Sequence, residues 1–189
     1  MRIKYNAPVV LTFAFTSAII LILSQTVMRS LTVQWFMIPG RGGFFPVSFR
    51  GVVTLFTHVL GHANWPHLFS NFAFILLIGP ILEEVYGSGS LLIMIFITAL
   101  VTGVLNVIFF SSGLLGASGI VFMMILLVSF TNFSKGEIPL TFILVLILYL
   151  GRELLNAFGS NNESNISEFA HIVGGFTGSL FGFFRLPRR

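Results

Sequence analysis

Long apolar stretches separated by short polar punctuation run along nearly the whole chain. Residues 5–28 and 85–134 contain no Asp, Glu, Lys or Arg. A membrane-spanning helix needs about 20 mostly apolar residues. The first stretch therefore predicts one span over about 8–28, and the second predicts two, about 90–110 and 115–132, with a turn near 111–113. The apolar run that starts at 138 predicts a span over about 138–156, and a last one over about 167–184 stops at the basic Arg185, Arg188 and Arg189. Between 29 and 84 the pattern is irregular. Pro39, Gly40, Gly42, Gly43 and Pro46 break any long helix in its first half, which predicts a partly embedded loop with short helical pieces. Its second half predicts a span over about 67–83, with His58, His62 and His67 at the entrance.

The expected fold is an all-α polytopic membrane protein, a bundle of six transmembrane helices forming one domain over 1–189. Composition points the same way: 56% of residues are hydrophobic and only 8% charged. A soluble domain carries about 25% charged residues, so this chain lacks the groups to cover a water-facing surface. With no Cys, disulfides, thiolate nucleophiles and Cys-based metal sites are excluded. The net charge of +4 is small and gathered near the ends, which argues against a nucleic-acid surface. Arg2 and Lys4 before an apolar run imitate a signal peptide, but the run is long enough to span and no small-residue cleavage site follows. It reads as a retained first helix.

An even number of spans puts both termini on one side. Arg2, Lys4, Lys135, Arg185, Arg188 and Arg189 would share it, against Arg29, Arg41, Arg50 and Arg152 opposite. The excess of basic residues predicts cytoplasmic termini.

Three places break the apolar pattern with groups that are costly in lipid, and such groups are functional candidates by default. In Gly116-Ala117-Ser118-Gly119 a hydroxyl is flanked by residues with almost no side chain, giving the clearance a nucleophile needs. Taken alone, such small residues more often serve close helix packing. His171 follows the polar stretch 160–168, and Gly174, Gly178 and Gly182 recur below it every four positions. That stripe lets a helix approach a neighbour closely; against the Ser118 helix it would bring the imidazole within reach of the hydroxyl. In His62-x4-His67-x3-Asn71, His67 and Asn71 share one helical face. No Asp, Glu or Cys joins them at ligand spacing, and zinc usually takes at least three such ligands, so no metal and no cofactor is expected. Neutral donors there suit hydrogen bonding to a developing oxyanion.

Together these motifs resemble the rhomboid family of intramembrane serine proteases. The resemblance runs from about Phe56 to Gly182 and includes Glu83-x3-Gly87 with Gly89. It implies Ser118 as nucleophile and His171 as general base and later acid. With no Asp or Glu read near His171 in helical register, a dyad is expected rather than a triad. The Ser118 N–H, His67 and Asn71 would surround the oxyanion. His62 would support from the loop, Gly116 would leave room for the substrate strand, and Phe122 would stack on the catalytic imidazole. Gly174 and Gly178 would press the His171 helix against its neighbour. Val53-Thr54 stands where members often carry Trp-Arg, a departure in the first loop.

The implied protein lives in a bacterial inner or plasma membrane, with a site opening to the exterior. Its partners would be transmembrane protein substrates and the lipid bilayer, without nucleic acid or metal. A catalytically inactive relative that binds membrane clients would lack the Ser or the His. A small transporter would prefer charges near the midplane, whereas here they sit at span ends.

Overall fold

The computed structural model describes residues 3–44, 48–131 and 165–184, the backbone alone for 165–168, and positions 140, 143, 144, 147 and 148 between them. The described residues are helical apart from their connections. In chain order the helices are α1 (Pro8–Thr26), α2 (Leu31–Trp35), α3 (Phe49–Thr57), a 3₁₀ turn (His58–Leu60), α4 (Trp65–Tyr86), α5 (Ser88–Phe109), α6 (Ser118–Ser129) and α7 (Asn165–Phe184). Extended pairing among these residues is limited to one antiparallel bridge, Ile38 to Leu114.

Helices α1, α4 and α5 are each long and apolar enough to cross a membrane. Their ends follow from local chemistry. Pro8 opens α1, where a missing N–H costs nothing. The Asn64 side chain accepts from the His67 N–H at 2.9 Å and caps α4, which begins two residues before the expected 67. Gly87, at φ +82°, ends α4 and starts α5. Outward faces of these helices carry Phe69, Leu77, Ile93 and Ile108, all exposed as lipid-facing residues should be.

Helix α6 is different. Every residue from Gly119 to Leu127 is buried, so it is the central rod of the bundle, apolar on all sides because all sides are covered. It is shorter than the 115–132 expected, because Gly116 at φ +115° cannot belong to a right-handed helix. Helix α7 lies along it in parallel. A Cβ on Gly174 would stand 2.1 Å from the Gly119 carbonyl oxygen, one on Gly178 2.2 Å from that of Met123, and one on Gly182 2.3 Å from the Phe130 ring. At the first two positions backbone meets backbone.

Helix α1 docks on α4 through Phe13 and Phe72, ring centroids 5.3 Å apart, and through a buried charge. The Glu83 carboxylate accepts from the Val9 N–H at 2.9 Å, the Val10 N–H at 3.1 Å and the Ser88 hydroxyl at 2.7 Å. The first N–H groups of a helix lack internal partners and carry partial positive charge; here a carboxylate from another helix satisfies them. That gives the Glu83-x3-Gly87 motif its reason: a buried acid followed by the turn that returns a hydroxyl to it.

Between α1 and α4 the first loop folds into α2, α3 and the 3₁₀ turn. The Arg50 guanidinium donates to the carbonyls of Gln34 and, at 3.2 Å, Val33, tying α3 to the end of α2. Most of the expected span 138–156 lies outside the described residues. Positions 140, 143, 144, 147 and 148 are helical and exposed, the spacing of a single helical face.

Candidate active site

Ser118 is the first residue of α6 and is half-buried. The chain reaches it through Gly116, whose N–H donates to the His58 carbonyl at 2.9 Å. A Cβ on Gly116 would lie 2.7 Å from Cε1 and Nε2 of His67 and 3.8 Å from Nδ2 of Asn71. The missing side chain therefore makes room for the His67 ring. At the start of α6 the backbone N–H groups have no partner within the helix, so donors and positive dipole point to where the Ser118 side chain begins.

The histidine cluster sits against this loop. His62 is buried; its Nδ1 lies 3.2 Å from the Leu60 carbonyl and its Nε2 3.1 Å from Asn71 Nδ2. These partners define a neutral ring, Nδ1–H donating to the carbonyl and Nε2 accepting from the amide. Asn71, also buried, has its amide nitrogen held by His62 and turned towards Gly116. The His62 and His67 rings meet edge to face at 5.0 Å. Among the described residues no group of three or more His, Cys, Asp and Glu is disposed to hold a metal.

His171 comes from α7. Its ring lies nearly parallel to that of Phe122, with centroids 4.2 Å apart and planes at 8°. Phe122 is one turn after Ser118, and Gly174, one turn after His171, is the residue pressed on Gly119. The turns carrying Ser118 and His171 are thus neighbours across the tightest seam of the bundle. Glu168 stands three residues before His171, in helical register with it, which the expectation of a dyad overlooks; its side chain lies outside the described residues.

His58 belongs to the arrangement and sequence reasoning gave it no role. It is buried, with Nδ1 3.3 Å from the Thr54 carbonyl and Nε2 3.4 Å from the Thr102 hydroxyl. Thr102 also bonds the Thr98 carbonyl at 2.8 Å, Thr98 meets the Thr177 hydroxyl at 3.3 Å, and Thr177 donates to the Gly174 carbonyl at 2.8 Å. All four residues are buried. A polar line thus runs under the cluster from the Gly116 loop to α7. Its signal in the sequence is threonine within otherwise apolar helices, together with a histidine four residues before His62.

Comparison with protein families matches the chain to the Rhomboid domain over residues 50–188. A comparison with curated proteins returns no match.

Proposed function

The chain belongs to the rhomboid family, and from that premise we propose that it is an intramembrane serine endopeptidase cutting transmembrane segments of other membrane proteins. Ser118 would be the nucleophile and His171 its general base, in a six-span bundle with cytoplasmic termini and a site opening to the exterior. The observation that carries this reading is the stacking of His171 on Phe122, one turn from Ser118, where glycines draw α6 and α7 together. An isolated polar pair in lipid would have no reason to be so closely registered.

In the reaction, the Ser118 oxygen attacks the scissile carbonyl carbon as its proton passes to the His171 imidazole. The oxyanion forms beside the Ser118 N–H and the side chains of His67 and Asn71. Collapse breaks the C–N bond; His171 returns the proton to the leaving amine, and an ester to Ser118 remains. Water then attacks that ester, giving its proton to His171, which passes it to the Ser118 oxygen as the acid departs. The phenyl face of Phe122 fixes the imidazole plane. Helical carbonyls of a substrate are already hydrogen-bonded, so the cut segment must unwind first, favouring small or helix-breaking residues there.

The test is a reconstituted assay on a model transmembrane substrate. Ser118→Ala abolishes cleavage while leaving the thermal transition unchanged, and a fluorophosphonate labels Ser118 in a manner that His171→Ala removes. Continued cutting by Ser118→Ala ends the proposal.

A further inference from the structure

A cavity that shares no residue with the histidine cluster opens between α1, α3, the 3₁₀ turn and α5, with a volume of about 470 Å³. Its floor is buried, formed by Phe13, Ile95 and Ala99, whereas Leu92 and Phe96 at its edge are exposed. It is therefore a groove open sideways to the surrounding lipid.

The groove has two unlike ends. At one, Pro8 and Ser88 begin their helices beside the Glu83 carboxylate, and close by the Tyr5 hydroxyl pairs with Thr12 at 2.9 Å. Exposed Lys4 precedes them. A tyrosine and a lysine at a helix end mark the boundary between water and lipid. At the other end Phe56, Val59 and Leu60 form a roof. Phe56 packs edge to face on Phe96 at 6.0 Å, and a Cβ on Gly103 would lie 3.2 Å from the Leu55 carbonyl, so the first loop closes the groove above Ala99. From Pro8 to Thr16 a helix rises about 12 Å, close to the roughly 15 Å of one leaflet's hydrocarbon.

We propose that this groove holds one acyl chain of a phospholipid from the leaflet at the N-terminal end of α1, its headgroup resting beside Lys4 and Tyr5. A polar mouth, an apolar blind end and the depth of one leaflet describe a lipid tail. Apart from the hydroxyls of Thr12, Thr16 and Ser88 the walls are apolar, so water finds few partners along them. A transmembrane helix, about 10 Å across, is too large to enter beneath the roof. The bound chain completes the packing of α3 and the 3₁₀ turn, the segment that carries His58.

Wild-type protein is reconstituted in phosphatidylcholine vesicles containing a phosphatidylcholine with a diazirine at mid-chain, then irradiated and mapped by peptide mass spectrometry. Adducts are expected concentrated on 12–16 and 92–99, about tenfold above those on the more exposed, lipid-facing Leu77 of α4. Even labelling of all outward faces overturns the proposal. In Thr16→Phe and Ala99→Phe, which fill the groove from opposite walls, the enrichment disappears while melting is retained. Unchanged labelling in a folded variant, or a dimer that the filling breaks, also overturns it, the latter assigning the groove to a second copy.

Discussion

Asn71 cannot choose its own orientation. Its amide nitrogen is held by His62 Nε2 at 3.1 Å, and His62 is in turn fixed through Nδ1 to the Leu60 carbonyl. A donor with a fixed direction costs little reorganisation when charge develops in front of it, which is where such groups gain their effect. Asn71→Ala is therefore expected to lower kcat by about 10²–10³, as loss of one oxyanion donor does in a soluble serine protease, with melting nearly unchanged. His62→Phe keeps a ring in the buried position but frees the amide. It should lower kcat in the same direction while KM stays near wild type, measured on one transmembrane substrate; a pure KM effect would assign Asn71 to binding alone. The spacing of these residues was readable in the sequence because helical periodicity puts His67 and Asn71 on one face. For Gly116 the resemblance implied room for a substrate strand, whereas a side chain there would meet the His67 ring from another helix, a contact no local pattern encodes. His58 escaped for a similar reason: threonine hydroxyls can bond their own helix carbonyls, so Thr98 and Thr102 leave no trace of a distant partner.

At the scale of helices, the strongest signal in the sequence was also the least specific. Apolar runs reveal where helices cross lipid, but α6 is covered on every side while α5 faces lipid with Ile93 and Phe96. Lipid and protein interior are equally apolar, so hydrophobicity alone cannot rank them. The glycine stripe can. Gly174, Gly178 and Gly182 recur at four-residue intervals; the first two meet the α6 backbone, and the third the Phe130 ring just beyond it, at distances that leave no room for a side chain. Within a bilayer such packing replaces the hydrophobic drive that joins helices in water. Gly178→Leu must push α7 from the Met123 carbonyl, carrying His171 away from the Phe122 ring. Overpacking of this kind costs about 1–3 kcal/mol or more. The expected result is a lowered melting temperature together with near-complete loss of fluorophosphonate labelling at Ser118; wild-type labelling in that variant would refute the seam as the positioning element.

Over the whole molecule, the first loop ties the candidate site to the rest of the bundle. Its Ile38 pairs with Leu114 through two backbone hydrogen bonds of 2.9 Å, Arg41 N–H donates to the Phe110 carbonyl at 2.8 Å, and the His58 carbonyl holds Gly116. Three contacts thus fasten the α5–α6 connection, which ends at Ser118, to a segment some seventy residues earlier in the chain. Proline and glycine made that segment legible as irregular, and nothing in its composition revealed that it is a brace. The tightest point is Gly40, where a Cβ would lie 1.9 Å from the Ser111 carbonyl oxygen. Ser111 and Ser112 are exposed, and the Ser112 carbonyl accepts from the Asn106 amide at 3.2 Å, so a side chain at position 40 should displace the connection against that hydrogen bond rather than unfold the helices. Gly40→Val is accordingly expected to cost about 1–3 kcal/mol, lowering the melting temperature while leaving the protein folded. The rate of Ser118 labelling should nevertheless fall at least about tenfold, because the displacement passes through Leu114 and Gly116 to the first turn of α6. Equal labelling rates in the two proteins would mean that Ser118 takes its position from the α6–α7 seam alone, and the first loop would then be a lid on the bundle with no part in aligning its chemistry.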